Sequence, residues 1–196
     1  MKKYLLVVVL AGLILAGCGG NKNLPTYYYV LEAPVAGQPE ETSPGVAPVP
    51  GVCVLAEVEV NPAYAAHQIA LRDLSHRLQY FSFNEWAVRP HDAFSQMLEA
   101  RIRTKTVFEE IRSQRNAPEF HHFLETFVHH LEMEEGQRGV NARLHVTFQL
   151  TEVASGKVIR HQADRRETLS ERSLNEFADS IGRMFTMETD EFLKKV

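Results

Sequence analysis

Nine histidines and two cysteines are the residues of this 196-residue chain best suited to chemistry. His121-His122 and His129-His130 invite a metal reading, because imidazole is the commonest protein metal ligand. On a regular strand, however, adjacent side chains point to opposite faces. His122 and His130 would then share one face but stand roughly 26 Å apart, too far to meet on one ion. No Cys-x-x-Cys or His-Glu-x-x-His pattern offers a denser ligand set. No metal or other non-covalent cofactor is therefore expected, and the imidazoles read as polar residues on the wet face of a half-exposed strand. Catalysis lacks a signature as well. There is no Gly-x-Ser-x-Gly elbow, no phosphate-binding glycine loop and no pair of carboxylates in a recognisable setting. Asp164-Arg165-Arg166-Glu167 is a charge cluster of the kind that marks a solvated strand end. The chain reads as a binding or scaffolding protein, not an enzyme.

The thiol with a defined chemical role is Cys18. Lys2 and Lys3 precede an apolar run from Leu5 to Ala16, broken only by Gly12. That is the layout of a secretory signal, and it is shorter than the roughly 20 apolar residues a spanning helix needs. The run closes in Leu15-Ala16-Gly17-Cys18, which resembles the box read by bacterial lipoprotein-processing enzymes. Residues 1–17 are expected to be cleaved. Cys18 is expected to carry an S-diacylglycerol and an N-acyl chain such as palmitate, and residues 18–26 to form its tether. One fatty chain binds a membrane only marginally, at about 10⁴ M⁻¹, so three make the anchor nearly permanent. Gly19 follows the cysteine, where an aspartate would signal retention at the inner membrane in enterobacteria-like sorting. The expected location is the periplasmic face of the outer membrane.

Loss of Lys2 and Lys3 with the signal shifts the formal net charge from −4 to −6. A domain of that sign is a poor ligand for phosphate backbones, so nucleic acid is excluded as a partner. Cys53, the other cysteine, lies in Val52-Cys53-Val54-Leu55 and reads as a small buried hydrophobe.

The elements that must position these residues follow from pattern. Residues 27–196 fit one α/β domain, with no internal repeat. Thr26 to Leu31 is rich in β-favouring aromatics and reads as a first strand. A Pro/Gly-rich loop at 33–51 follows. Val52 to Val60, Gln68 to Arg72 and Arg77 to Phe83 read as strands. Pro90 opens a helix with Asp92 in its first turn and Phe94, Met97, Leu98 and Ile102 on one face. Val107 to Ile111 should be a strand parallel to Val52–Val60, reached by a right-handed crossover. Phe120–Met133 and Ala142–Val153 read as long antiparallel strands. A turn at Ala154-Ser155-Gly156-Lys157 leads to a third strand, Val158–Arg166. Ser173 and Glu176 form a capping box for a last helix with the apolar stripe Leu174, Phe177, Ala178, Ile181, Phe185 and Phe192. The sum is a mixed sheet with at least two packed helices. Tyr80, Phe81, Phe83 and Trp86 concentrate four large rings at the bend into the first helix. Such rings are buried or covered by something: Trp86 as a core plug, or the group as a surface for a lipid or a partner protein.

Several of these segments, taken in order, resemble one family. They are the lipobox, Tyr27-Tyr28-Tyr29-Val30-Leu31, Asn61-Pro62-Ala63-Tyr64, Gln68-Ile69-Ala70-Leu71-Arg72, Tyr80 with Trp86, and Ala154-Ser155-Gly156-Lys157-Val158. Together they resemble the ABC-type transport auxiliary lipoproteins, which include the lipoprotein partner of the paraquat-inducible MCE system. The resemblance spans nearly all of the mature chain. It departs at Ala87-Val88-Arg89-Pro90, where the family more often shows Ala-Glu-Pro-Leu. The resemblance implies a three-layer α/β/α domain with a mixed sheet, similar to anticodon-binding-like folds. It also implies a non-catalytic role beside an ABC permease, its ATPase and an MCE-domain protein in lipid transport between membranes, and it leaves room for a homo-oligomer. It carries over no catalytic residue; Cys18 is the one functional position it transfers. The competing reading is a stand-alone periplasmic lipoprotein that binds a lipid or a metal.

Overall fold

The computed structural model of the chain describes residues 24–34, 47–73, 75–113, 119–136 and 139–196. In order they form β1 (Tyr27–Tyr29), β2 (Val49–Leu55), β3 (Glu59–Val60), β4 (Gln68–Arg72), β5 (Leu78–Trp86), α1 (Pro90–Lys105), β6 (Phe108–Ser113), β7 (His122–Gly136), β8 (Gly139–Glu152), β9 (Val158–Leu169) and α2 (Leu174–Leu193). The signal, Cys18 and most of the Pro/Gly-rich loop lie outside the described residues. The strand after that loop starts earlier than its composition implies, because β2 takes in Val49, Pro50 and Gly51.

The sheet is assembled on β7. One edge of β7 pairs antiparallel with β8 from His122–Glu152 to Gly136–Gly139, and β8 pairs in turn with β9. Along the other edge three short strands run parallel to β7 in succession. β2 lies beside residues 122–124, β3 beside 127–128 and β4 beside 133–134. β6 flanks β2 in parallel, as the strand–helix–strand pattern requires, while β5 and then β1 extend the sheet from β4. The segment read as one strand over Val52–Val60 is therefore two. Ala56 N still donates to Leu124 O at 2.9 Å, but Val58 N leaves the ladder and donates to Ser95 Oγ of α1 at 2.9 Å.

Alternation sorts the sheet into two faces. Leu124, Val128, Leu131 and Met133 of β7 join Ala142, Leu144, Val146, Phe148 and Leu150 of β8 in the core. Both helices cover that same face. Phe185 of α2 contacts Phe94 of α1 at 4.6 Å and Phe148 of the sheet at 5.8 Å between ring centroids, and Phe148 stacks on Phe192 at 5.3 Å. Ring pairs of this kind add about 0.5–1.5 kcal/mol beyond area burial. Arg101 of α1 clamps Asp190 of α2 with two hydrogen bonds. The result is a single domain with a mixed, open sheet and two helices. Among the described residues both helices spend their apolar stripes on each other and on one sheet face.

The helix ends follow the sequence. Pro90 stands in the first turn of α1, where its missing N–H leaves no gap in the ladder, and Arg103 and Lys105 close the last turn. Ser173 caps α2 by accepting from Glu176 N at 3.3 Å. The carboxylate of Glu176 does not return to Ser173 N; it takes Ser170 N and Ser170 Oγ, both at 2.8 Å, so the box is half closed. Glu188 of α2, fully buried, is held by Arg165 and by His161 Nε2 at 2.7 Å. Lys195 Nζ donates to His161 Nδ1 at 2.8 Å, which leaves the ring proton on Nε2, facing the carboxylate.

The chain after β1 crosses α2 so closely that a Cβ on Gly182 would overlap the carbonyl oxygen of Glu32. Alanine in a helix interior ordinarily gains roughly 0.5–1 kcal/mol over glycine. Here the overlap is with backbone, which cannot swing away. Gly182→Ala should therefore destabilise by about 1–3 kcal/mol, the usual cost of overpacking. Denaturant unfolding of the variant against the wild type reads this, and a gain in stability would show that residues 31–34 are not seated on α2.

Candidate functional site

Trp86, one of the four rings singled out in the sequence, is 1% exposed and packs on Phe177 with centroids 5.7 Å apart. It is a core residue and offers no surface to a partner. Phe81 is half-buried, with the Arg172 guanidinium 5.5 Å from its ring centre. Tyr80 and Phe83 are exposed, and the Tyr80 hydroxyl donates to Ala63 O at 2.9 Å. The four rings thus divide between inside and outside, as a strand edge running into a helix demands.

The histidine strand holds a feature that regular alternation misses. A register shift between Val128 and His130 inserts His129 as an extra residue of β7 opposite β8. His122, before the shift, is buried beside Phe108. His130, after it, lies on the opposite face, so the two do not share a face as a regular strand would have them do. The bulge also brings neighbours together. His129 lies 4.4 Å from His145 and His130 stacks on His145 at 5.7 Å, in both cases between ring centroids. His129 Nε2 is 2.8 Å from Thr147 Oγ1. Burial, with the charges of neighbouring histidines and Arg160, holds His129 below the ordinary histidine range. Burial and Arg143 do the same for His130. Among the described residues, no group of three or more His, Cys, Asp or Glu side chains is placed to hold a metal ion. Cys53 is fully buried and burial pushes its thiol up to about 12, which suits packing and not nucleophilic attack.

Beside the histidines lies a buried charge network that the sequence does not announce. Glu132 of β7 is fully buried. Its carboxylate accepts from Tyr64 Oη at 2.6 Å, Arg72 Nε at 3.0 Å and Arg143 Nη1 at 3.1 Å. Arg72 also donates to Tyr64 Oη at 3.0 Å. Arg143 continues to Asp164 at 2.9 Å and to Glu134 at 3.1 Å, and Arg166 reaches Glu134 at 2.8 Å. Five elements, the loop at Tyr64 together with β4, β7, β8 and β9, are therefore joined through one set of charges on the face away from the helices.

Burial alone would push the Glu132 carboxyl up. Hydrogen bonds from Arg72 and Tyr64, with the Arg72 charge, outweigh that and hold it below its usual range. Tyr64 is pushed up to about 12, by burial and then by its bond to Glu132. Hydrogen bonding to Glu132 raises Arg72 above its ordinary range, and hydrogen bonding to Asp164 does so for Arg143. A carboxylate with its lone pairs filled by two guanidinium groups and a phenol is a brace rather than a proton acceptor.

Comparison with known proteins gives the same picture of the fold. A family model described as "ABC-type transport auxiliary lipoprotein component" matches residues 29–191. A Xanthomonas campestris protein of known crystal structure superposes with a TM-score of 0.69 at 15% identity, over 84% of this chain and 91% of that one. A second crystal structure, of an uncharacterised protein, gives 0.68 at 12% identity, over 88% and 99%. No curated protein matches the chain significantly in sequence.

The Glu132 brace has a pH signature. Because its folded carboxyl lies below the unfolded value of about 4.3, its stabilisation is present above that value. It is lost as pH falls through the lowered folded value. Arg72→Met removes one partner and leaves the buried charge to Tyr64 and Arg143. It should cost about 3 kcal/mol near pH 7, the low end for breaking a buried pair. The gap between wild type and variant should close as pH falls through the lowered folded value and Glu132 protonates in both. Urea unfolding at several pH values tests this; a gap that does not change with pH would remove Glu132 from the account.

Proposed function

We propose that this chain, which belongs to the ABC-type transport auxiliary lipoprotein family, is a non-catalytic docking component held by lipid on Cys18 at the periplasmic face of the outer membrane. There it engages an MCE-domain subunit whose ABC permease and ATPase drive movement of phospholipid or another hydrophobic molecule between the membranes. The family match over residues 29–191 carries this reading. Three features of the chain support it. The signal and lipobox end in Cys18 followed by Gly19 and not by aspartate. No helix among the described residues is long and apolar enough to cross a membrane. The buried charges of the domain are consumed in bracing the sheet.

Affinity capture of the lipidated protein from native membranes, with mass spectrometry of what co-purifies, tests the partner. An MCE-domain subunit in the eluate is the expected result. Its repeated absence from intact, lipidated bait would move the assignment to the stand-alone ligand binder, for which a lipid or metal retained through purification would be the mark. Location has its own test. Gly19→Asp should shift the protein from the outer to the inner membrane on a density gradient, and an unchanged distribution would detach the outer-membrane assignment from the residue after Cys18.

A further inference from the structure

Exposed apolar side chains gather where the chain emerges toward Cys18. Of the eleven large hydrophobic residues exposed among the described residues, seven fall in two short stretches, 24–30 and 80–88. The stretches are neighbours in space, because β1 pairs with β5 and Ala87 N donates to Tyr29 O at 2.7 Å. Tyr27 and Tyr28 are 59% and 63% exposed, and Leu24, Val30 and Phe83 are exposed beside them. Among the described residues β1 is the end strand of its side of the sheet. Leu24 is six residues from Cys18, and six fully extended residues reach no more than about 22 Å. A lipid on Cys18 therefore keeps this edge close to the bilayer it is embedded in.

The remaining exposed apolar residues include Phe120, Val153 and Val158, which lie where β7 and β9 begin and β8 ends. β4 lies beside the other half of β7, at Met133 and Glu134, and Tyr28 of β1, joined to it through Glu85 and Gln68, lies about level with His130. Six steps along β8, from Thr151 opposite Phe123 to His145 opposite His130, separate the level of Val158 from that of Tyr28 by roughly 20 Å. The domain has an anchor end and a far end.

We propose that the β1–β5 edge rests on the headgroup layer of the membrane that holds the Cys18 lipid, with Tyr27, Tyr28 and Phe83 seated among zwitterionic phospholipid headgroups. Tyrosine joins an apolar ring to a polar tip and is enriched at membrane–water interfaces. The mature chain has a formal net charge of −6, which gives no overall attraction to anionic lipid, so burial of aromatic and aliphatic side chains at the interface carries the contact. Seated this way, the domain stands with the start of β7 away from the membrane, where a partner crossing the periplasm would meet it.

The proposal rests on lipidation of Cys18, and one experiment separates the two. Tyr28→Cys and, as the far-end control, Val158→Cys are introduced singly into the full lipoprotein, labelled with a nitroxide and reconstituted into phosphatidylethanolamine–phosphatidylcholine vesicles. Cys18 is capped by lipid and Cys53 is buried with its thiol pushed up to about 12, so the introduced thiol takes the label. The label at 28 should gain oxygen accessibility and lose most of its accessibility to a nickel chelate on moving from detergent to vesicles, while the label at 158 stays unchanged. Phe83→Cys should behave like Tyr28→Cys. A label at 28 as open to nickel as the one at 158, on protein that floats with the vesicles, overturns the proposal. Dipolar broadening between position-28 labels of neighbouring copies, without the oxygen gain, overturns it in favour of an interface between copies. Protein that fails to float overturns the lipid anchor, and the proposal with it.

Discussion

The architecture depends on β7 having both edges filled. A strand of 15 residues offers two rows of backbone donors and acceptors, and leaving them unpaired in the interior would cost more than any side chain here returns. β8 closes one row along its whole length. No single strand closes the other. Three short ones do so in tandem, and the crossings between them fix where everything else goes. The step from β2 to β3 is held by Ser95 of α1, and the passage from β3 to β4 contains Tyr64. The helices are placed because the short strands need them, and the Tyr64 loop is placed because β3 and β4 share one partner.

The same constraint explains why the buried charges sit where they do. The bulge at His129 shifts the alternation of β7 by one residue, so that Glu132 falls on the face away from the helices, beneath the Tyr64 loop. A carboxylate there is tolerable only with every lone pair used, and Arg72, Arg143 and Tyr64 supply the donors. The chain solves the equivalent problem on the helix face with Glu188, His161 and Arg165. Each network spans elements far apart in sequence, which makes it a device for fixing register as well as a source of energy. A slip of β4 or β9 by one residue would leave a buried charge bare, a penalty of several kcal/mol.

Much of this was legible in the residues. Leu144, Val146, Phe148 and Leu150 alternate without interruption and lie along the buried face of β8; Pro90 and Ser173 mark helix starts where the structure has them. Cys53 in its apolar stretch is buried as its neighbours imply. What was illegible depended on pairing. Nothing in Val128-His129-His130 distinguishes a bulge from a regular strand, because the extra residue is defined by β8 opposite it. Glu132 alternates with Leu131 and Met133 like any solvent-facing glutamate, and Tyr64, Arg72 and Arg143, brought in from other elements, are packed against it. The four rings from Tyr80 to Trp86 were visible as a cluster, but their division into Trp86 inside and Phe83 outside turns on where β5 meets α2. The side of the sheet that each helix takes was illegible for a related reason. Two amphipathic helices are compatible with either face of a sheet, and the contact between Phe94 and Phe185 that puts them on one face is a tertiary fact.

The face opposite the helices is the consequence with the widest reach. A sheet face with no helix packed on it would normally be wet and free to bend. Here it carries an unbroken run of ionic contacts from Arg72 on β4, through Glu132 and Arg143, to Asp164 and Arg166 on β9. Exposed ion pairs taken singly contribute about 0–1 kcal/mol, so the run would matter little if Glu132 were not fully buried at its centre. With that charge buried, shearing the strands past one another breaks hydrogen bonds that water cannot immediately replace. The sheet is thereby stiffened on one face by packing and on the other by charge. Stiffness of that kind transmits position: whatever holds β1 and β5 at one end also sets the direction in which the start of β7 points.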